Sequence, residues 1–387
     1  MSVTAAQGFL ANGVRCGIKP GDQLDLALVA TDDGQPVNAA AVFTSNLAAA
    51  APVQVSRAHL QRAGGRAAAV VLNSGNANAA TGPRGRADAE ETARLAAGWL
   101  GCRPEDVLVC STGLIGIPLP MDPVRDGLPR AAAGLSADGG HAAADAILTT
   151  DTFPKQVVVD GDGFTVGGMA KGAAMLAPQL ATMLAVLTTD AEVPQESLQE
   201  ALRQGVDASF NALSVDGCTS TNDTVVVLAS GRRGRADGAE FAAALAYLCR
   251  SLAEQMAGDA EGATKVARIS VQGALSAEEA HAAARKVADS QLVKCSLYGQ
   301  DPYWGRVVSE LGAAGVGFDP DRVSVAYGDV VVCRDGVAAP HDPAQVTEHL
   351  RQRHVHLVAD LGLGPGRGAV LTADLTHAYV DENMRTS

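Results

Sequence analysis

Short apolar runs separated by glycine-rich polar loops dominate the first two thirds of the chain. Leu24 to Ala30, Ala39 to Thr44, Pro52 to Ser56, Ala67 to Leu72 and Asp106 to Cys110 are each short enough for a strand. Between the last two, Arg86 to Leu100 carries Leu95 and Trp99 on one face and stops at Gly101, which predicts a helix. A further helix is expected over Ala142 to Leu148. Gln156 to Val159 and Phe164 to Val166 flank Asp160-Gly161-Asp162-Gly163, a hairpin signal. Thr182 to Leu187 is apolar on both faces and so predicts a central strand.

After Pro194 the spacing of Leu198, Ala201, Leu202 and Val206 is helical. A polar loop, Asp216 to Asp223, leads into a buried strand from Thr224 to Leu228. Phe241, Leu245, Leu248, Leu252 and Met256 form the core stripe of a long helix. Past Gly262 the rhythm changes. A strand from Arg268 to Val271 precedes a helix opened by the capping box Ser276-x-x-Glu279. Val293 to Leu297 reads as a strand, alternating strands are expected around Val323 to Val332, and a helix over Pro343 to Arg351 leads to strands His354 to Val358 and Ala369 to Leu375. The expected organisation is a layered α/β core over residues 1–266 and an α+β domain over 267–387, with the boundary near Ala267. No internal repeat interrupts it.

Composition narrows the function. A formal charge of −13 argues against a nucleic-acid partner, which leans on a basic face. The start of the chain lacks the basic and apolar segments of a signal peptide, and no apolar run reaches the ~20 residues of a membrane span, so a soluble cytoplasmic protein is expected. Seven scattered cysteines, none spaced C-x-x-C, point to reduced thiols. The only lysines are Lys19, Lys155, Lys171, Lys265, Lys286 and Lys294, a scarcity that marks them as candidates for specific roles.

Familiar catalytic signatures are missing. Gly362-Leu-Gly-Pro-Gly-Arg-Gly368 is glycine-rich but precedes a strand-like run, so it reads as a hairpin loop and not a phosphate cradle. His354-x-His356 has no third ligand nearby in sequence, and no metal is expected. What remains are hydroxyl-rich loops at strand ends: Ser111-Thr112-Gly113, Thr149 to Lys155, and Thr182. Taken locally, Thr182 is a β-branched residue opening a strand. A threonine hydroxyl is a weak nucleophile that needs a neighbouring base, and a chain break at Ala181-Thr182 would supply one as a free α-amine with a pKa of about 8. Hydroxyls, N–H groups and lysines converging from strand ends would suit acyl transfer, whose oxyanion needs fixed donors.

Together these stretches resemble the glutamate N-acetyltransferase (ornithine acetyltransferase) family. The resemblance runs in order through Asn73-Ser-Gly-Asn-Ala-Asn78, Ser111-Thr-Gly-Leu-Ile-Gly116, Thr149-Thr-Asp-Thr-Phe-Pro-Lys155, Gly168-Met-Ala-Lys-Gly172, Ala181-Thr-Met-Leu184, Ser220-Thr-Asn-Asp-Thr224, Asp259-Ala-Glu-Gly262, Asp301-Pro-Tyr-Trp-Gly-Arg306 and Asp374-Leu-Thr-His377. Nearly the whole chain is covered. Departures from the usual pattern are Tyr303 in place of asparagine, Cys218 in place of an acidic or small polar residue, Lys171-Gly-Ala-Ala174 and a shorter ending.

The resemblance implies a stacked-sheet αββα-type sandwich, like but distinct from amino-terminal nucleophile hydrolases. It implies self-cleavage between Ala181 and Thr182, with two N-terminal and two C-terminal fragments assembling as a heterotetramer. The implied reaction moves an acetyl group from N-acetylornithine to glutamate through an acetyl-enzyme, without a cofactor. Thr182 would be nucleophile and acyl acceptor, and the Thr112 hydroxyl and Gly113 N–H the oxyanion hole. Thr149, Lys171, Thr182, Glu261, Asn383 and Ser387 would hold substrate. Two alternatives stay open: an N-terminal-threonine amidase or aminopeptidase in which water replaces glutamate, and an acetyltransferase of a secondary-metabolite pathway instead of arginine biosynthesis.

Overall fold

A computed structural model describes residues 2–175 and 183–384. Ala181, Thr182 and Ser387 lie outside the described residues. The chain divides into one unit over residues 2–211 and 218–256 and a second over 212–217 and 257–384. The division falls ten residues before the expected 266/267 boundary, and a six-residue segment crosses to the second unit. That crossing carries only a two-residue strand, too short to leave a periodic signal.

In chain order the first unit is built from β1 (Phe9–Val14), β2 (Leu26–Thr31), β3 (Val37–Phe43), α1 (Ala51–Arg62), β4 (Arg66–Ala67), β5 (Ala69–Asn73), α2 (Gly82–Leu100), β6 (Val107–Ser111), α3 (Met121–Ala133) and α4 (Gly140–Ala146), followed by β7 (Lys155–Gly161), β8 (Phe164–Lys171), β9 (Leu184–Thr189) and α5 (Gln195–Asp207). After β10 (Leu213–Ser214), which belongs to the second unit, come β11 (Thr224–Ala229) and α6 (Gly238–Gly258). The strands form a four-stranded sheet, β1-β2-β5-β6, and a six-stranded sheet, β4-β3-β11-β9-β8-β7.

One apolar core joins the two sheets face to face. Ala27, Val29, Val70, Leu72 and Leu108 of the first sheet cluster with Ala39, Leu184, Val186, Val226 and Leu228 of the second. The alternate residues Leu26, Leu28, Val71 and Val109 point the other way, onto Ala89, Ala93, Ala96 and Ala97 of α2 and Val124 and Leu128 of α3. On the far side of the six-stranded sheet α5 packs on β3. There α6 approaches β8 so closely that a Cβ on Gly168 would lie 2.9 Å from Leu248. Helix, sheet, sheet, helix is the expected sandwich. Strands buried on both faces explain why their sequences are continuous apolar runs, not alternating ones.

Several local expectations failed. Pro52 to Ser56 lies in α1: Pro52 sits at the helix start, and Val53, Ser56 and Leu60 are buried at helical spacing. The valine alternation that suggests a strand is a short sampling of that face. The buried side of α2 is an alanine stripe, and Trp99 is exposed. Helix α3 carries an internal proline, Pro129, and has no counterpart in the expected elements.

A further failure is in the second unit, where Val293 to Leu297 forms a helix. Its elements continue as β12 (Val266–Ala274), α7 (Ala277–Asp289), α8 (Gln291–Tyr298), α9 (Gly305–Gly312), β13 (Ser324–Tyr327), β14 (Val330–Arg334), β15 (Val337–Ala338), α10 (Pro343–Arg351), β16 (His354–Asp360), β17 (Gly366–Ala373) and α11 (His377–Asn383). Ser290 caps α8 by accepting the Val293 N–H, and Val293, Lys294 and Leu297 are buried one turn apart. The mixed sheet runs β10-β17-β12-β16-β13-β14-β15. Since β16 and β17 flank β12 instead of pairing, the glycine-rich 362–368 segment joins strands on either side of β12 and is no hairpin loop.

Leu72 is fully buried between the sheets, whereas Leu47 is wholly exposed. Leu72→Ala is therefore expected to destabilise the first unit by about 2–5 kcal/mol, and Leu47→Ala by less than about 0.5 kcal/mol. Urea unfolding of both variants measures the difference.

Candidate active site

Polar loops from both sheets of the first unit meet at one edge of the sandwich. Parallel strands β5 and β6 end together, with Asn73 opposite Ser111. Parallel strands β9 and β11 begin together, with Leu184 opposite Thr224, while antiparallel β8 ends there with Lys171 opposite Leu184. The Asn222 amide ties the two ends, donating to Ser111 O at 2.9 Å and Ala77 O at 2.6 Å.

The Thr112-Gly113 turn is braced by the asparagine-rich segment after β5. Ser111 Oγ donates to Asn73 Oδ1 at 2.6 Å, Asn73 Nδ2 to Asn76 O at 2.8 Å, and Thr112 N to Asn73 O at 3.0 Å. Gly113 has φ of 129°, and a Cβ there would lie 2.3 Å from the Gly75 carbonyl carbon, so only glycine fits. Thr112 is buried. Neither its hydroxyl nor the Gly113 N–H makes a hydrogen bond of ordinary geometry to a described residue. Two fixed donors without acceptors are what an oxyanion requires.

Facing β8's end is a buried ion cluster centred on Asp151, a residue to which the sequence patterns assign no role. Its fully buried carboxylate takes Lys155 Nζ at 2.6 Å and the Gly172 N–H at 2.6 Å on Oδ1. Oδ2 takes the Thr149 N–H at 3.1 Å and lies 3.5 Å from Lys171 Nζ. Lys171 also donates to Thr149 Oγ1 at 2.7 Å. Lys171 and Thr149 are thus brought together. Burial alone would raise the Asp151 carboxyl, but the ammoniums of Lys171 and Lys155 hold it below the usual carboxylate range.

Asp223 is a second buried carboxyl that no sequence pattern singles out. Its Oδ1 accepts the Met183 N–H at 2.8 Å, and Thr224 N donates to Met183 O at 3.2 Å. The residue following Thr182 is thereby fixed at the start of β9. Oδ2 has no hydrogen-bond partner among the described residues, and burial pushes the carboxyl well above the usual range despite the Met183 N–H.

In the second unit Glu261 is buried and accepts Asn383 Nδ2 at 2.7 Å, so these two expected contacts pair with each other. His356 bonds Ser270 Oγ at 2.9 Å, and no group of three His, Cys, Asp or Glu is placed to hold a metal among the described residues. No described helix is long and apolar enough to cross a membrane.

The ArgJ family pattern matches residues 10–386. The arginine biosynthesis bifunctional protein ArgJ of Streptomyces avermitilis is 49% identical over 389 residues, covering 100% of both chains. Its namesake in Mycobacterium tuberculosis H37Rv is 46% identical, covering 100% of this chain and 96% of its own. Among solved structures, ornithine acetyltransferase complexed with ornithine from Mycobacterium tuberculosis is 46% identical, covers 47% of this chain and 96% of that one, and superposes with a TM-score of 0.44. Covered from end to end by relatives at this identity, the chain belongs to the ArgJ family.

Proposed function

We propose that this chain is a cytoplasmic acetyltransferase of arginine biosynthesis that moves an acetyl group from N-acetylornithine to glutamate. The observation that carries this reading is the pair of uncommitted donors, Thr112 and Gly113, at the sandwich edge where β9 begins. Family membership supplies the substrate class.

In this reading the chain cuts itself at Ala181-Thr182, and the freed α-amine of Thr182 takes the proton of its own hydroxyl. Oγ attacks the acetyl carbonyl, and the oxygen that becomes negative is met by the Thr112 hydroxyl and the Gly113 N–H. Collapse of the tetrahedral adduct breaks the C–N bond, and the departing ornithine amine takes the proton back. The glutamate amine then attacks the acetyl ester and reverses the sequence, giving N-acetylglutamate. Lys171 and Thr149 hold the substrate in the first unit, since an ammonium suits a carboxylate. Glu261, Asn383 and Ser387 are assigned as further substrate contacts by residue type, Glu261 for a side-chain ammonium. The fragments assemble as a heterotetramer.

Denaturing mass measurement of the purified protein should show two fragments meeting at Thr182. An intact 39.4 kDa chain that still transfers acetyl groups would sink the scheme. Thr182→Ala should abolish both cutting and turnover. Loss of acetylornithine should depend on glutamate; a rate indifferent to glutamate identifies a hydrolase instead.

Thr112→Ala removes one oxyanion donor and should lower kcat by roughly 100- to 1000-fold. An unchanged kcat takes Thr112 out of the hole.

Asp151→Asn should destabilise the first unit by about 3–5 kcal/mol, because it removes the buried carboxylate that the Lys155 and Lys171 ammoniums share. The Asp151 carboxyl titrates lower folded than unfolded, so its stabilisation is present above the ordinary value of 3.8 and is lost as pH falls below it. Melting temperature followed down to about pH 3 should therefore drop more steeply in the unsubstituted protein than in Asp151→Asn.

A further inference from the structure

Lys19 belongs to none of the motifs that carry the family resemblance, yet the loop that holds it is built around it. Between β1 and β2 the chain winds about the buried Asp25 carboxylate. Oδ1 accepts the Cys16 N–H at 2.6 Å, and Oδ2 accepts those of Gly17, Ile18 and Lys19 at 2.9, 2.7 and 3.0 Å. Four consecutive N–H groups on one carboxylate fix where Lys19 starts. Its stem then crosses Gly75, where an added Cβ would come within 2.5 Å of Lys19 Cγ, and its ammonium donates to Leu148 O at 3.1 Å. Leu148 adjoins Thr149. Gly75 is the residue against which Gly113 packs. Lys19 therefore lies between the oxyanion donors and the Lys171–Thr149 pair.

The carboxylates that face it are already engaged by other donors. Asp151 is occupied by Lys155, Lys171 and two N–H groups, and Asp25 by its four. Asp145, which also faces Lys19, is half-exposed and sits 3.6 Å from His141. Leu148 O is the one hydrogen-bond partner of the Lys19 ammonium among the described residues, and an ammonium has three donors. Burial pulls its pKa down, so an incoming anion would be stabilising.

We propose that Lys19 is a specificity-determining cation that, beside Lys171, binds the α-carboxylate common to the acetyl donor and the acceptor. The inference rests on the acetyl-transfer reading for the identity of the ligand. In a double displacement both substrates must present their α-nitrogen to the same acetyl carbon, held by the same oxyanion donors, so the α-carboxylate, one carbon away, returns to the same place each time. Their side chains carry opposite charges and cannot share that cation. A cation reaching over Gly75 toward Thr149 is positioned for the shared group.

The test compares N-acetylornithine with its α-carboxamide in the unsubstituted protein, Lys19→Gln and Lys19→Arg, by kcat/KM. It also compares ornithine with ornithinamide by calorimetric binding. Lys19→Gln should lose roughly 10- to 100-fold for the carboxylate substrate, mostly in KM, and less than about threefold for the amide. Lys19→Arg should keep most of the preference. Taking the acid-to-amide ratio within each variant cancels any difference in the folded fraction. An equal loss on acid and amide would make Lys19 merely structural, and no loss on either would remove it from the site. A protein that transfers no acetyl but whose preference for ornithine over ornithinamide disappears in Lys19→Gln would overturn the transferase reading and keep the role of Lys19. Binding indifferent to the substitution overturns that role whatever the turnover.

Discussion

A carboxylate removed from water beside two ammoniums sets the geometry of this site. Taken singly, each of the three charges would cost several kcal/mol to bury, and their mutual contact offsets much of that cost. Asp151 lies in the loop between α4 and β7, Lys155 opens β7, and Lys171 closes β8. Their joint demand for contact draws a loop and the ends of a hairpin into one place. It leaves Thr149 beside Lys171, where a flexible lysine on a strand end would otherwise sample many positions.

Much of the sandwich was legible because buried strands have to be apolar on both faces, and the runs that form β2, β3, β5, β6, β9 and β11 are. Two of the misreadings share a cause. Pro52 to Ser56 and Val293 to Leu297 are too short to separate a two-residue from a 3.6-residue period, and in both the arbiter is the helix start, a proline at the first turn or the Ser290 cap. The site was legible in a different way. Thr112 and Gly113 were singled out by resemblance, and the physical reason for Gly113, its contact with the Gly75 backbone, joins segments far apart in sequence. Asp151 stood inside a recognised motif without a role, since its role consists of contacts with residues at 155, 171 and 172. Lys19 left only one trace, the scarcity of lysines.

The asparagine-rich stretch after β5 is structural in its effect: its amides brace the loop that carries Thr112 and Gly113, whose donors meet no acceptor of ordinary geometry among the described residues. Adjacent residues Asn222 and Asp223 extend that bracing across the sandwich. The Asn222 amide grips Ser111 O, immediately before the donors, and the Asp223 carboxyl grips Met183 N, where the chain enters β9. Side chains one residue apart thus connect the Thr112-Gly113 loop of one sheet to the strand start of the other. A separation fixed by two neighbouring side chains varies little as the surrounding loops move. Acyl transfer has that requirement, because donors that stabilise a developing oxyanion lose their advantage when they must first be reoriented.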